Sequence, residues 1–217
     1  MIKAAIFDLD GTIAETLESI AYSTNKTLEE FGYGTLETER FKTIVGDGAE
    51  TQIRRVLSIF GVLDEEKVKE VLNRYIEIFE EGCVHNVTPC KGIPELIEKL
   101  KERGIKTAVC SNKPYAQTLK VVHAIYPEGF FDIILGQKEG VPKKPAPDMP
   151  LSIADALNAE PEECLYLGDT NTDMKTGKNA GMFTIGVAWG FREEKELIES
   201  GADRLVYMPK EVLELIG

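Results

Sequence analysis

Short apolar runs recur along the chain, and each is long enough for one buried strand. The first run, Ala4 to Phe7, ends directly at Asp8. An unbroken apolar run is typical of a strand that is buried on both faces of a parallel sheet. The later runs are Thr107–Cys110, Ile133–Leu135, Cys164–Leu167, Thr184–Val187 and the weaker Leu205–Tyr207. The pattern therefore predicts five buried strands and a weaker sixth.

Between the later runs, apolar residues recur at the spacing of a helix. The helical segments are 93–102, 115–125, 151–157, 173–180 and 193–200. Strand and helix therefore alternate from Lys91 onward, which predicts an α/β fold with a doubly wound, Rossmann-like parallel sheet. Ligands of such folds bind in the crevice at the carboxyl ends of the strands.

Residues 15–87 break this alternation, because they show helical periodicity and no strand pattern. Three stripes are visible: Leu17, Ile20, Ala21, Thr24 and Leu28; Ile53, Val56, Leu57 and Phe60; Val68, Val71, Leu72, Tyr75, Ile76 and Phe79. They predict a small all-α helical bundle inserted after the first strand. The core domain then comprises residues 1–14 and 88–217, and the insert comprises residues 15–87. The alternative is that these helices lie flat on the main sheet.

The composition is that of an ordinary globular protein and excludes several classes. A chain of 217 residues with 43% hydrophobic and 29% charged residues is not a disordered or fibrous one. The formal net charge of -12 argues against nucleic acid or an anionic membrane as the main partner. No signal peptide, membrane-spanning stretch or C-x-x-C pair is visible, so we expect a cytoplasmic protein with reduced cysteines. An anionic substrate would need local positive charge to capture it.

Two acids follow the first predicted strand. In Asp8-Leu9-Asp10, both carboxylates can leave the sheet at its ligand-binding edge, and Gly11 then permits a sharp turn. Two close carboxylates in a partly buried site repel each other unless a cation is present. An isolated pair of this kind is also common in solvated turns.

A second acidic motif, residues 168–173, follows another apolar run. It places Asp169 at the carboxyl end of a strand, where it can join Asp8 and Asp10. Carboxylates, a backbone carbonyl and water are the ligands that Mg²⁺ prefers. Asp173 fits two roles, either a metal ligand or an acid in the first turn of a helix, where the helix dipole favours it.

Two further segments offer groups that bind phosphate. Ser111 and Asn112 end a predicted strand just before Pro114 starts a helix, which suits either phosphate binding or simple helix capping. Lys144 stands in a loop that Pro145 and Pro147 stiffen, so its ammonium is expected at a fixed position. Such an ammonium keeps nearby acids ionised and binds phosphate oxygens.

The order of these motifs resembles the haloacid dehalogenase-like superfamily of phosphohydrolases over essentially the whole chain. Asp8-Leu9-Asp10-Gly11-Thr12 looks like the first signature of that family, Ser111 the second, Lys144 the third and residues 168–173 the fourth. The helical insert is similar to the mobile cap of the family, which closes over the site. Gly46-Asp47-Gly48 is then a cap loop that faces the core, with Gly48 at the substrate.

The resemblance implies a phosphatase that hydrolyses a small phosphorylated metabolite in two steps. Asp8 takes the phosphoryl group as an aspartyl-phosphate, and Asp10 serves as general acid and then general base. The implied ligands of Mg²⁺ are Asp8, Asp10 through its carbonyl, Asp169 and Asp173. The implied phosphate ligands are Thr12, Ser111, Asn112 and Lys144. In the cap, Arg54 or Arg55 would contact a substrate carboxylate, unless both lie on a solvated helix face.

Several local strings look most like the phosphoglycolate phosphatase group, and phosphoglycolate is therefore the expected substrate. Trp189 departs from that group, which has tyrosine or threonine before the Gly-aromatic pair.

The alternatives are a phosphatase for pyrophosphate, a nucleotide or a sugar phosphate, and a phosphomutase of the β-phosphoglucomutase type. Thr12 favours hydrolysis, because phosphomutases of this type typically have valine at the corresponding position. A non-enzymatic metabolite-binding protein is the alternative from another class. The sequence gives no indication of the oligomeric state.

Overall fold

The computed structural model describes residues 1–216, and its centre is a parallel sheet of six strands. In chain order the strands are β1 (Ala4–Phe7), β2 (Ala14–Glu15), β3 (Thr88–Pro89), β4 (Lys106–Pro114), β5 (Ile133–Gln137), β6 (Cys164–Gly168), β7 (Phe183–Val187) and β8 (Arg204–Val206). The large sheet has the order β5-β4-β1-β6-β7-β8, with every neighbouring pair parallel. The predicted doubly wound α/β fold is confirmed.

Eight α-helices surround or extend from this sheet among the described residues. They are α1 (Leu17–Glu30), α2 (Ala49–Ile59), α3 (Glu65–Gly82), α4 (Ile93–Glu102), α5 (Tyr115–Ile125), α6 (Asp148–Ala156), α7 (Asn171–Asn179) and α8 (Glu194–Glu199). Helix α6 begins three residues before the predicted segment and includes Pro150. Proline is tolerated there because the first turn of a helix has no partners for its backbone N–H groups. No helix in the described part of the chain is long and apolar enough to cross a membrane.

The first three helices, α1 to α3, pack together between β2 and β3 in the chain. Helices α1 and α2 both lie against α3, so residues 17–82 form a bundle as the periodicity predicts. Helix α1 presents buried Ser23 to α3, and its hydroxyl donates to the Ser19 carbonyl 2.9 Å away, so no hydrogen bond is lost by burial. A Cβ at Gly82 would overlap the Ser23 hydroxyl, which shows how closely α1 and α3 approach.

A small ribbon joins this bundle to the sheet. Strands β2 and β3 pair in antiparallel fashion, with Ala14 opposite Pro89 and Glu15 opposite Thr88. The sequence predicts connecting segments here and no strands. Two residues are too few to show an alternating pattern, which is why the sequence gives no sign of the ribbon.

Candidate active site

The central strands bring the predicted motifs to one edge of the sheet. Strand β1 lies between β4 and β6, with Phe7 opposite Val109 on one side and Leu167 on the other. Asp8 therefore emerges beside the ends of both neighbouring strands. Because the carboxyl ends of parallel strands meet at one edge, residues that are 100 or more positions apart in sequence become neighbours there.

Three carboxylates form a compact cluster at this edge. Oxygen atoms of Asp8, Asp169 and Asp173 all lie within 4.8 Å of one another. The three residues are 6%, 0% and 1% exposed, so water provides almost no screening of their mutual repulsion.

Lys144 supplies positive charge to the cluster. Its Nζ lies 2.6 Å from an oxygen of Asp8 and 2.7 Å from one of Asp173, and it also donates to the Cys110 carbonyl at 3.1 Å. Asn112 holds the lysine backbone from both sides: the amide Nδ2 donates to the Lys144 carbonyl, and Oδ1 accepts from the Lys144 N–H at 2.8 Å. The Asn112 side chain, predicted to bind phosphate, therefore positions the lysine and also lines the pocket.

The pKa values of the cluster reflect this crowding. Burial, followed by the charge of Asp173, raises the pKa of Asp8 to about 7, although Lys144 opposes the shift. Burial and the same neighbour raise the pKa of Asp169 well above its ordinary value. Burial would lower the pKa of Lys144, but the charges of Asp173 and Asp8 outweigh it and the pKa rises. One ammonium for three buried acids leaves negative charge uncompensated, and a set of oxygen donors alone fits a hard divalent cation such as Mg²⁺.

Asp169 is fixed by hydrogen bonds to both carboxylate oxygens. The Thr12 hydroxyl donates to Oδ1 at 3.0 Å, and the Phe191 backbone N–H donates to Oδ2 at 2.7 Å. Thr12, predicted as a phosphate ligand, is fully buried and is not part of the pocket lining, and its hydroxyl orients Asp169. Gly11 and Gly190 flank the same carboxylate so closely that a Cβ on either would overlap it, and Gly11 also has a φ of +84°.

Asp173 combines the two roles that its position allows. Its Oδ2 accepts from the backbone N–H and the hydroxyl of Thr170, at 3.1 and 2.6 Å, which makes the capping box of α7. Its Oδ1 accepts from Lys144. Asp173 lies within the acidic cluster, but both oxygens already have protein partners.

Asp10 faces a second lysine across the pocket. The Nζ of Lys113 lies 2.6 Å from Oδ1 of Asp10 and 5.0 Å from the centre of the Phe79 ring. Lys113 directly follows Ser111 and Asn112 in the sequence, but sequence reasoning assigns it no role. Ser111 also lines the pocket, and its oxygen accepts from the Lys113 backbone N–H at 3.1 Å, so the hydroxyl proton remains free to donate.

The pocket lies between the strand ends and the helical bundle. Its lining from the sheet side includes Asp8, Asp10, Ser111, Asn112, Lys113, Gln117, Lys144, Asp173 and Phe191. Its lining from the bundle side is Ile20, Val45, Gly46, Gly48, Ala49, Gln52, Tyr75, Ile76 and Phe79. The bundle side is thus mainly apolar and aromatic, and Gly48 is part of this lining.

The structure does not bring Arg54 into this pocket. Its guanidinium is exposed and makes ion pairs with Glu50 at 3.0 Å and Glu65 at 2.5 Å. Arg55 turns toward Asp47 at 2.5 Å, also outside the lining. Arg54 therefore lies on a solvated helix face, the alternative that the sequence leaves open, whereas Arg55 holds the loop through Asp47 and the Ile44 carbonyl.

Sequence reasoning missed the side chains with which the bundle faces the pocket. Tyr75 and Phe79 belong to a predicted apolar stripe, but a stripe shows only that a helix face is buried, not which surface covers it. Gln52 is 5% exposed, and its Nε2 donates to the Thr24 hydroxyl at 2.9 Å. A buried amide on an otherwise apolar face is the one signal that points to this wall.

The loop of residues 45–48 touches the sheet side at three points. The Thr172 hydroxyl donates to Asp47 at 2.5 Å, and the Arg192 guanidinium donates to the Val45 carbonyl at 2.7 Å. Asn112 adds a longer contact of 3.4 Å to the Gly46 carbonyl. These contacts close the pocket on the side of α7.

Comparison with known proteins places these observations in a family. The chain matches the model for haloacid dehalogenase-like hydrolases over residues 5–187. The phosphoglycolate phosphatase of Aquifex aeolicus is 32% identical over 194 residues, which cover 88% of this chain and 86% of the relative. The N-acetylmuramic acid 6-phosphate phosphatase of Pseudomonas aeruginosa is 26% identical over 217 residues, which cover 99% of this chain and 95% of the relative.

A solved structure agrees with the same grouping. A proposed phosphoglycolate phosphatase from Lactobacillus delbrueckii subsp. bulgaricus superposes with a TM-score of 0.92 at 32% identity. The match covers 99% of this chain and 98% of the other. The likeness therefore includes the helical bundle as well as the sheet.

Proposed function

Because this chain belongs to the haloacid dehalogenase-like hydrolases and is a phosphoric monoester hydrolase, we propose that it is a Mg²⁺-dependent phosphatase that forms an aspartyl-phosphate on Asp8. The observation that carries the proposal is the setting of the Asp8 carboxylate. It lies at the pocket, 2.6 Å from the Lys144 ammonium, within a cluster of three buried acids whose charge this one ammonium only partly offsets.

Asp8 and Asp169 would hold the metal through carboxylate oxygens that already lie within 4.8 Å of each other. The Asp10 carbonyl would supply a third donor. The bound ion would offset negative charge on the phosphoryl group during transfer. Asp173, whose oxygens accept from Lys144 and Thr170, would hold the lysine beside this site.

Two displacements at phosphorus make up the reaction. In the first, an oxygen of Asp8 attacks phosphorus as the bond to the ester oxygen breaks, and Asp10 gives its proton to that oxygen. In the second, Asp10 removes a proton from water, the water oxygen attacks phosphorus, and the bond to Asp8 breaks. Phosphate leaves and both carboxyl groups return to their starting states. The free hydroxyl proton of Ser111 would bind one phosphoryl oxygen.

We further propose that residues 15–87 act as a cap over a core of residues 1–14 and 88–217. The ribbon of β2 and β3 is the narrow connection about which the bundle would move. Opening would admit substrate, and closing would exclude bulk water from the aspartyl-phosphate.

Phosphoglycolate is the proposed substrate. The support is the name of the relative from Aquifex aeolicus, which is 32% identical to this chain. The relative from Pseudomonas aeruginosa acts on a sugar phosphate, so a panel of phosphate monoesters should include that class.

The test combines substrate choice with removal of the nucleophile. We expect the purified protein with Mg²⁺ to release inorganic phosphate from phosphoglycolate, and not to isomerise glucose 1-phosphate. Asp8→Asn should lower kcat by about 1,000-fold or more, because the amide is a poor nucleophile. Asp155→Asn makes the same change at an exposed position of α6 and should leave kcat within about twofold. Unchanged activity of Asp8→Asn, with a normal circular dichroism spectrum, would refute the proposal.

A further inference from the structure

Two lysines are the cations that line the pocket among the described residues. They are Lys113 and Lys144. Arg54 is paired with Glu50 and Glu65, and Arg55 with Asp47, and neither arginine lines the pocket. Arg192 lies behind the loop of residues 45–48, where it donates to the Val45 carbonyl and pairs with Glu196 at 3.2 Å. Of the cations that line the pocket itself, these two ammonium groups can therefore contact a second negative charge on the substrate, beyond the phosphate.

Lys144 has no donor left for such a charge. An ammonium group carries three N–H donors. All three donate in the structure, to Asp8, Asp173 and the Cys110 carbonyl. Lys144 therefore serves the acidic cluster.

Lys113 has donors to spare. It makes one side-chain hydrogen bond, to Asp10 at 2.6 Å, so two N–H donors remain uncommitted. The side chain is 3% exposed, and the Phe79 ring covers one side of the ammonium at 5.0 Å. A cation that is buried with unused donors has little compensation from water, which favours an anionic partner from the substrate.

The position of Lys113 defines where that anion must lie on the substrate. Asp10 is the proposed proton donor to the ester oxygen, and Lys113 contacts the same carboxylate. A carboxylate attached to the carbon that carries the ester oxygen therefore falls within reach of Lys113. A carboxylate farther along a chain would instead meet the apolar wall made by Ile20, Ile76 and Phe79.

We propose that Lys113 binds a carboxylate on the leaving group, so that the preferred substrates are phosphate esters of small α-hydroxy acids. This inference rests on the proposed phosphatase function and adds to it the residue that selects the substrate class. Lys113 also takes the role of contacting a substrate carboxylate, which the sequence suggests for Arg54 or Arg55. The uncharged wall of the bundle then limits the length of the acid and contributes no charge to its recognition.

The test compares two esters that differ only in the proposed anion. Phosphoglycolate carries a carboxylate where 2-hydroxyethyl phosphate carries a neutral hydroxymethyl group. Wild-type protein should prefer phosphoglycolate in kcat/KM by about tenfold or more, and Lys113→Met should reduce that ratio by about 10- to 100-fold. Activity on both esters should fall, because Asp10 also loses its partner, and the ratio is the measure that isolates the carboxylate.

A matched control distinguishes contact from general attraction. Lys143 is exposed at the edge of the pocket, with its Nζ 3.5 Å from where a Cβ on Gly48 would lie. Lys143→Met removes the same charge from the same region, and should change the ratio by less than about threefold. An equal change in both lysine variants would overturn the inference, as would an unchanged ratio in Lys113→Met.

The wild-type protein alone also tests the inference, should Lys113→Met fail to fold. Equal kcat/KM values for the two esters would overturn the carboxylate contact and leave the phosphatase function standing. Release of no phosphate from either ester, or from any other monoester, would refute the proposed function itself.

Discussion

Asp169 depends on two glycines for its position at the acidic cluster. Its carboxylate fits between Gly11 and Gly190, and accepts hydrogen bonds from Thr12 and the Phe191 backbone. Hydrogen-bond partners of a metal ligand fix its orientation, and their loss typically weakens metal binding by about 10- to 100-fold. The absence of a side chain at these glycines is thus a functional feature of the site.

Gly190→Ala should weaken Mg²⁺ binding. The new methyl group would overlap the Asp169 side chain, which must move away from Asp8. We expect the dissociation constant for Mg²⁺, measured by isothermal titration calorimetry, to rise by about tenfold or more. Gly34→Ala is the control, because its methyl group would meet only Phe60 at an ordinary 3.7 Å. Identical Mg²⁺ affinities for the two variants would contradict the steric role of Gly190.

At the scale of single residues, the sequence predicts strand-end acids well and helix-face cations poorly. Asp8 and Asp169 follow apolar runs, and parallel strands bring such positions together whatever their separation in sequence. Arg54 lies on an amphipathic helix, where periodicity cannot distinguish an outer face paired with Glu50 from a face at a pocket. The position of Lys113 at the pocket is not predicted for another reason. The pairing of β4 with β5 shifts register between Cys110 and Pro114, so the usual alternation of side chains between the two faces of a strand does not hold there.

At the scale of elements, α7 performs two tasks in its first turn. Thr170 and Asp173 cap the helix and hold Lys144, while Thr172 points the other way and donates to Asp47 of the bundle loop. Burial raises the pKa of Asp47, but the hydrogen bonds from Thr172 and Arg55 lower it by more, so the carboxylate stays ionised and accepts strongly. The first turn of α7 therefore connects the acidic cluster to the loop of residues 45–48.

Thr172→Val should loosen the loop without disturbing the cluster. The variant keeps the shape of the side chain but removes its donor to Asp47. A lost hydrogen bond to a charged acceptor predicts a decrease in kcat/KM of about tenfold, because the closed pocket becomes less populated. Steady-state kinetics on phosphoglycolate measures the effect.

Thr176→Val provides the comparison within the same helix. Its hydroxyl is buried and donates to the Thr172 carbonyl at 2.7 Å, without any contact to the bundle loop. We expect kcat/KM to stay within about twofold of wild type. Equal losses in the two valine variants would mean that helix stability, and not closure of the loop, controls the activity.

The elements themselves follow from the sequence except where they are very short. Periodicity predicts α1, α2 and α3 because each buries a long stripe against the others. The ribbon of β2 and β3 is held mainly by backbone hydrogen bonds between two residues on each side, and backbone pairing leaves no trace in side-chain pattern. The sequence thus predicts where the bundle joins the sheet but not the strand pairing within that connection.

At the scale of the whole molecule, the acidic cluster costs stability that a metal would restore. In the unfolded chain, Asp8 titrates at 3.8, whereas in the folded protein burial and the charge of Asp173 raise its pKa to about 7. Between these two values the folded state binds more protons than the unfolded state. Raising the pH through this window therefore favours unfolding, and Asp169 acts in the same direction.

Metal-free protein should consequently have a lower Tm at about pH 8 than at about pH 5, and Mg²⁺ should raise Tm more at the higher pH. The ion competes with protons for the same oxygens, so its advantage grows as the protons leave. Asp47 and Asp132 have lowered pKa values, so their effect on stability lies below the ordinary value of 3.8 and outside this window. Thermal unfolding followed by circular dichroism, with chelator or with Mg²⁺ at each pH, measures all four values.

Asp8→Asn separates this cause from any general effect of pH. The amide cannot ionise, so it resembles the protonated acid at every pH and removes one negative charge from the cluster. We expect the metal-free variant to lose part of the decrease in Tm between about pH 5 and pH 8, and to gain less from Mg²⁺ than wild type does. A metal-free wild-type Tm that rises across this range, or an unchanged slope in the variant, would show that the buried charge of Asp8 does not limit stability. The nucleophile would then be stabilised in the metal-free fold by more than the single ammonium of Lys144.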